Sequence, residues 1–211
     1  MSQDAWGPRD WSTNGLGGEV FAGLPADVPD EVEEADAFDA AEEQQADAAS
    51  PTAESDPAAR ARAICLRLLT GSAKTRGQLA DALRKRDIPD EVAEEVLSRY
   101  QEVGLIDDAA FAETWVESRH RGRGLARRAL ATELRSRGVD SEVVAEAVAR
   151  LDPEQEAATA RALVERKLRS TAGLDRQVRL RRLAGMLARR GYPEGLAMRV
   201  VRDALDSECE Q

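Results

Sequence analysis

From Pro57 onward, apolar residues recur at helical spacing and nowhere alternate with a period of two, so the chain predicts helices and no strands. Asp56-Pro57 reads as a helix start, an N-cap acid followed by proline at the first helical position. Ile64, Cys65, Leu68 and Leu69 make the apolar face of that helix, which ends at Thr70-Gly71. Thr75-Arg76-Gly77-Gln78 is a capping-box pattern ahead of Leu79 and Leu83. Pro89 and Asp90 open a third helix carrying Val92, Val96, Leu97 and Tyr100.

The pattern then recurs. Around Leu83 the offsets −4, +5, +9 and +13 hold Leu79, Ile88, Val92 and Val96. Around Leu134 they hold Leu130, Val139, Val143 and Ala147, and around Leu187 they hold Leu183, Tyr192, Leu196 and Val200. The short turns Ile88-Pro89-Asp90, Val139-Asp140-Ser141 and Tyr192-Pro193-Glu194 align as well. This predicts an all-α chain of three tandem three-helix repeats, over residues 58–106, 107–152 and 153–206, with a short tail over 207–211. A unit of about 50 residues is marginal alone, and three in a row would support one another as an elongated, curved body.

Composition divides the chain in two. Residues 1–57 hold fifteen acids and one base, Arg9, whereas the remainder holds 29 bases and 25 acids. The first part lacks a helical stripe and is expected to be a disordered acidic arm, with Trp6, Trp11 and Phe21 as a possible docking motif or simply part of an unstructured leader. Its negative charge could solubilise the chain or fold over a basic face as a mimic of a phosphate backbone. Two cysteines, Cys65 and Cys209, stand outside any metal-ligand spacing, which fits a reducing cytoplasm. No secretory signal and no stretch of the ~20 apolar residues that span a bilayer are visible. No phosphate-binding loop, dinucleotide fingerprint or zinc-protease motif occurs, so neither an enzyme nor a cofactor is expected.

Residues 104–124, GLIDDAAFAETWVESRHRGRG, grade from acid to base. Gly104 suits the left-handed end of a helix, Leu105 and Ile106 are expected to tuck into the core, and Asp107 is an N-cap with Asp108 in the first turn. Phe111, Ala112, Trp115, Val116 and Arg119 share one face. Capping explains that much. It does not explain seven arginines in residues 119–137, at 119, 121, 123, 127, 128, 135 and 137, against the single acid Glu133. Residues 161–190 repeat the bias, with ten bases against Glu165 and Asp175. Arginine in such density points to an anionic partner, although some of these side chains merely solvate helix faces. His120, inside the run, is expected at the surface, as a plain polar residue or a partner contact.

With its three units, its Gly104-Leu105-Ile106-Asp107-Asp108 element followed by Phe111 and Ala112, its Arg119 to Gly124 run and its Leu130, Leu134, Gly138 spacing, the chain resembles the RecX family over residues 58–205. The resemblance implies a cytoplasmic regulatory protein without enzymatic activity. Such proteins bind in the groove of the RecA–DNA filament and restrain its growth, ATPase and strand exchange, so it implies a place in homologous recombination, DNA repair and the SOS response. It marks Gly104, Asp107, Asp108 and Phe111 as structural pattern residues, with Trp115 beside them. Candidates for contact with RecA or DNA are Arg119, His120, Arg121, Arg123, Arg127 and Arg128, with Arg176, Arg179, Arg181 and Arg182 in the third unit. The expected partners are the RecA filament and single- or double-stranded DNA without sequence preference, bound by a monomer, with no membrane and no small-molecule substrate. Two other readings stay open: an independent helical DNA-binding protein, and a helical scaffold for acidic proteins. The helical region has few Gln and no Asn, which disfavours specific base reading.

Overall fold

The computed structural model describes residues 56–209, and of Cys209 the backbone only. The acidic arm through residue 55, with Trp6, Trp11 and Phe21, lies outside the described residues. The described residues hold nine α-helices and no strand. Helices α1 (Pro57–Gly71), α2 (Arg76–Arg84) and α3 (Asp90–Glu102) form the first repeat. The second repeat is α4 (Asp108–Arg123), α5 (Arg127–Ser136) and α6 (Ser141–Ala149). The third is α7 (Pro153–Leu168), a 3-10 turn over Arg169–Thr171, α8 (Arg176–Arg189) and α9 (Glu194–Cys209). Residues 207–209, read from sequence as a tail, continue α9 as helix.

Local chemistry starts each helix where the sequence indicates. The Asp56 side chain accepts from the Ala58 N–H at 3.2 Å, and Asp107 accepts from Ala110 N–H at 2.9 Å. Thr75 and Gln78 close a reciprocal capping box, each backbone N–H donating to the other's side-chain oxygen at 3.1 Å. Gly104 ends the first repeat with φ of 73°.

The repeat register is visible in burial. At offsets −4, 0, +5 and +13 every residue is buried in all three repeats, and at +9 Val92, Val143 and Leu196 are all half-buried. Each repeat builds an apolar cluster, around Leu83, Leu134 and Leu187, none of which exposes any surface, and the third also takes in Ala126 of the second repeat. Burying one such leucine contributes about 1.5–3 kcal/mol. Ile106 joins the first cluster, but Leu105 does not: it is exposed. Both Leu105 and Ile106 N–H groups bond to the Tyr100 carbonyl, a tight turn that sends only one of the two side chains inward.

Successive repeats meet through one plan used twice. At the first joint, the Arg76 N–H, first in α2, donates to Asp108 Oδ1 of α4 at 2.8 Å. The buried Thr75 hydroxyl donates to the Arg137 carbonyl at the end of α5. At the second joint, the Arg127 N–H, first in α5, donates to Glu156 Oε1 of α7 at 3.1 Å. The Ala126 N–H donates to the Arg190 carbonyl at the end of α8 at 2.9 Å. In both, a carboxylate from the following repeat satisfies an orphan N–H at a helix start, and a helix-end carbonyl is satisfied in return.

The residue after each of those carbonyls is glycine, for a reason. Gly138 and Gly191 have φ of 76° and 85°. A Cβ on Gly138 would lie 2.8 Å from Gly77 Cα, and one on Gly191 2.8 Å from Ala129 Cβ. The equivalent position in the first repeat is Asp87, also left-handed at φ of 56°. No repeat packs against that turn, so a side chain is tolerated there.

Candidate anion-contact surface

The arginine run of residues 119–128 bridges the end of α4 and the start of α5, with Gly124 between them in the left-handed conformation at φ of 62°. Its members have different fates. The Arg119 guanidinium lies 4.1 Å from the centre of the Trp115 ring, and that of Arg137 lies 3.9 Å from the same ring. Phe111 stacks on Trp115 with centroids 5.6 Å apart, and the indole N–H donates to Glu133 at 2.9 Å. The residues Phe111, Trp115 and Arg119 thus form one packed ladder along α4, as their helical spacing indicates.

Arg121 is exposed and pairs with Glu117 one turn earlier at 2.7 Å. Arg123 is half-buried, and its carbonyl accepts from the Arg190 guanidinium. Arg127 is half-buried and committed to an intramolecular pair: its Nε and a terminal nitrogen reach Glu156 Oε2 at 2.9 and 2.8 Å. Glu156 is buried, so this pair serves the second joint. Arg128 is exposed in the first turn of α5. The helix dipole there disfavours a cation, and capping gives no reason for one.

His120 corrects the expectation drawn from sequence. It is buried, 3 % exposed, rather than at the surface. Nδ1 lies 2.8 Å from the Leu125 carbonyl, which can only accept, so that nitrogen carries the proton. Nε2 lies 3.0 Å from the Thr159 hydroxyl of α7. The ring therefore pins the turn after α4 to α7 of the third repeat.

In the third repeat the candidates separate in the same way. Arg179 is largely buried and turns inward, to Glu208 at 2.5 Å, Thr171 and the Leu168 carbonyl. Arg176 pairs with Asp206. Arg181 and Arg182 are exposed on α8. Asp108, read as a helix-dipole residue, also holds the first joint, and burial raises its carboxyl above the usual aspartate range while the Arg76 N–H and guanidinium draw it down.

The fold adds two cations that the sequence reading left out. The second joint brings Arg189 and Arg190, at the end of α8, beside the start of α5 and the turn after α4. The Arg190 guanidinium reaches the Arg123 carbonyl there, and Arg127 pairs with the buried Glu156, so the chain positions of Arg123, Arg127, Arg128, Arg189 and Arg190 adjoin at this joint. The repeat register carried the signal, because Arg190 occupies in the third repeat the place of Arg137 in the second. Among the described residues no group of His, Cys, Asp and Glu is placed to hold a metal ion, and no helix is long and apolar enough to cross a membrane. Cys65 is buried, which pushes its thiol up to about 11 and keeps it from acting as a thiolate near neutral pH.

Three family models match in chain order: the RecX first three-helix domain over residues 61–99, the second over 107–148 and the third over 154–201. The chain is 70% identical over 155 residues to the regulatory protein RecX of Streptomyces lividans, covering 74% of this chain and 82% of that one. It is 66% identical over 150 residues to the regulatory protein RecX of Thermobifida fusca, covering 71% and 81%. The crystal structure of RecX from Lactobacillus salivarius shares the fold, with a TM-score of 0.65 at 17% identity over 70% of this chain and 96% of that one. The chain belongs to the RecX family of regulatory proteins.

Proposed function

We propose that this protein regulates RecA in the cytoplasm by lying in the groove of the RecA–DNA filament. There it restrains ATPase, filament growth and strand exchange during homologous recombination and the SOS response. The observation that carries this reading is the match of all three repeats, in order, to RecX domains, together with high identity to proteins named as RecX regulators. It acts by binding as a monomer, without catalysis of its own.

The contacts are assigned to the exposed side chains Arg121 and Arg128 in the second repeat and Arg181 and Arg182 in the third, with the half-buried Arg123 beside the first two. Arg119 adds charge beside Trp115. Arg127, Arg179 and His120 serve the interior and leave the contact set. Contacts to phosphate carry no base information, so binding to single- and double-stranded DNA is non-specific. If the surface makes six to ten phosphate contacts, affinity should fall roughly 10³–10⁵-fold between 50 and 200 mM salt.

The test is RecA's DNA-dependent ATPase on single-stranded DNA, with this protein well below one molecule per RecA. Inhibition should weaken when Arg121, Arg123 and Arg128 are all changed to Ala. Absence of inhibition at any ratio overturns the reading. DNA binding that is unaffected by RecA, without inhibition, would instead favour an independent DNA-binding protein.

A further inference from the structure

The two joints fix where one repeat's arginines stand relative to the next, and each includes one carboxylate from the following repeat. Asp108 is the sparser of the two. It accepts from the Arg76 N–H of the preceding repeat at 2.8 Å. The Arg76 side chain turns back into its own repeat, with Nε to Gln101 at 2.8 Å and a terminal nitrogen to Glu94 at 2.6 Å. The Thr75 hydroxyl donates to the Arg137 carbonyl at the same joint, and the backbone of Gly77 lies against that of Gly138. No buried apolar side chain of the second repeat enters the first repeat's cluster. The angle between these repeats therefore rests on very few groups, and Arg137, whose carbonyl belongs to the joint, also lies over Trp115 beside Arg119.

We infer that Asp108 is a positioning residue. By capping α2 of the preceding repeat it sets the angle of the first repeat on the second, and so the register in which the arginine surface meets the filament. This rests on the filament reading above. Its chemistry needs an acceptor oxygen at Oδ1 and no charge. Asparagine therefore preserves the joint, and alanine leaves the Arg76 N–H without its acceptor.

The experiment measures geometry and activity separately in the full chain, with Cys209→Ser as background and Cys65 buried. Spin labels go on exposed positions, Glu95→Cys with Ala145→Cys across the first joint, and Ala145→Cys with Arg202→Cys across the second. Asp108→Ala should broaden the first distance distribution and leave the second unchanged, and Asp108→Asn should restore the width. The concentration giving half-inhibition of the RecA ATPase should rise about fivefold in Asp108→Ala, the scale of one hydrogen bond, and return with Asp108→Asn. An unchanged first distribution in Asp108→Ala overturns the joint role. A broadened distribution with unchanged inhibition overturns the positioning role. If the unsubstituted protein does not inhibit RecA, the filament reading and the positioning role for it both fall, while the distance widths still judge the joint itself.

Discussion

The first and second joints share a plan and differ in how heavily it is reinforced. At the first, Asp108 is half-buried and accepts one backbone N–H. At the second, Glu156 is buried and accepts from the backbone N–H and the guanidinium of the same arginine. The second joint also has the His120–Thr159 contact, the Tyr192 hydroxyl donating to the Gly124 carbonyl at 3.0 Å, and Arg190 on the Arg123 carbonyl. Ala126 of the second repeat is built into the third repeat's apolar cluster, and Leu163 sits under Gly124. The last two repeats are thus welded by shared core and a buried ion pair, whereas the first is hung by hydrogen bonds. The arginines concentrate at the welded joint. Arginines that adjoin in this way repel one another unless counter-charge is near, and Glu156 supplies it to Arg127.

The most severe way to break this asymmetry is Gly191→Ala. The added Cβ combines a left-handed backbone with collision against Ala129, and the neighbour is backbone that cannot swing aside. A loss of at least ~3 kcal/mol is expected in urea unfolding. Asp87→Gly, at the equivalent turn of the first repeat, should change stability by less than about 1 kcal/mol, because Asp87 is exposed and no other repeat packs there. Glu156→Ala comes next. It removes both a helix-start acceptor and the partner of Arg127, which is 39 % exposed and can regain water. The expected loss is about 2–3 kcal/mol, with faster hydrogen exchange at the Arg127 amide. Tyr192→Phe is milder. It leaves the Gly124 carbonyl unsatisfied in a buried site, for about 1–2 kcal/mol in the same unfolding measurement.

Much of the fold was legible because the core writes itself into spacing: Leu83, Leu134 and Leu187 with their fixed offsets define the repeats before any coordinates. The capping box at Thr75 and the N-cap at Asp107 were legible for the same local reason. The joints were not. Asp108 already had an adequate reason to stand in a first turn, and nothing within four residues reveals a partner 32 positions away. His120 looked exposed because its sequence neighbours are arginines, yet the residues that bury it come from α7, 39 positions on. Arg127 and Arg128 are adjacent and identical in type. Only the position of Glu156 decides that Arg127 is drawn into a pair, whereas Arg128 stands exposed.

The smallest expected effect sharpens the comparison most, because it isolates the first joint's carboxylate. Burial raises the folded-state pKa of Asp108, with the negative charge of Asp107 adding to it and the Arg76 N–H and guanidinium opposing. Between the ordinary aspartate value of ~3.9 and that raised value, the folded chain binds more proton at this site than the unfolded chain does. Stability from this group is therefore fully present below the ordinary value and is lost as pH rises through the raised one. Asp108→Asn keeps the acceptor and removes the titration. Relative to the unsubstituted chain it should be equally or more stable at pH 7, and that relative advantage should shrink as pH is lowered toward 4, read from urea midpoints across the series. An advantage that does not change with pH would mean that the first joint holds its carboxylate without cost, and that the contrast between the joints lies in their bonds and shared core rather than in the burial of a carboxylate.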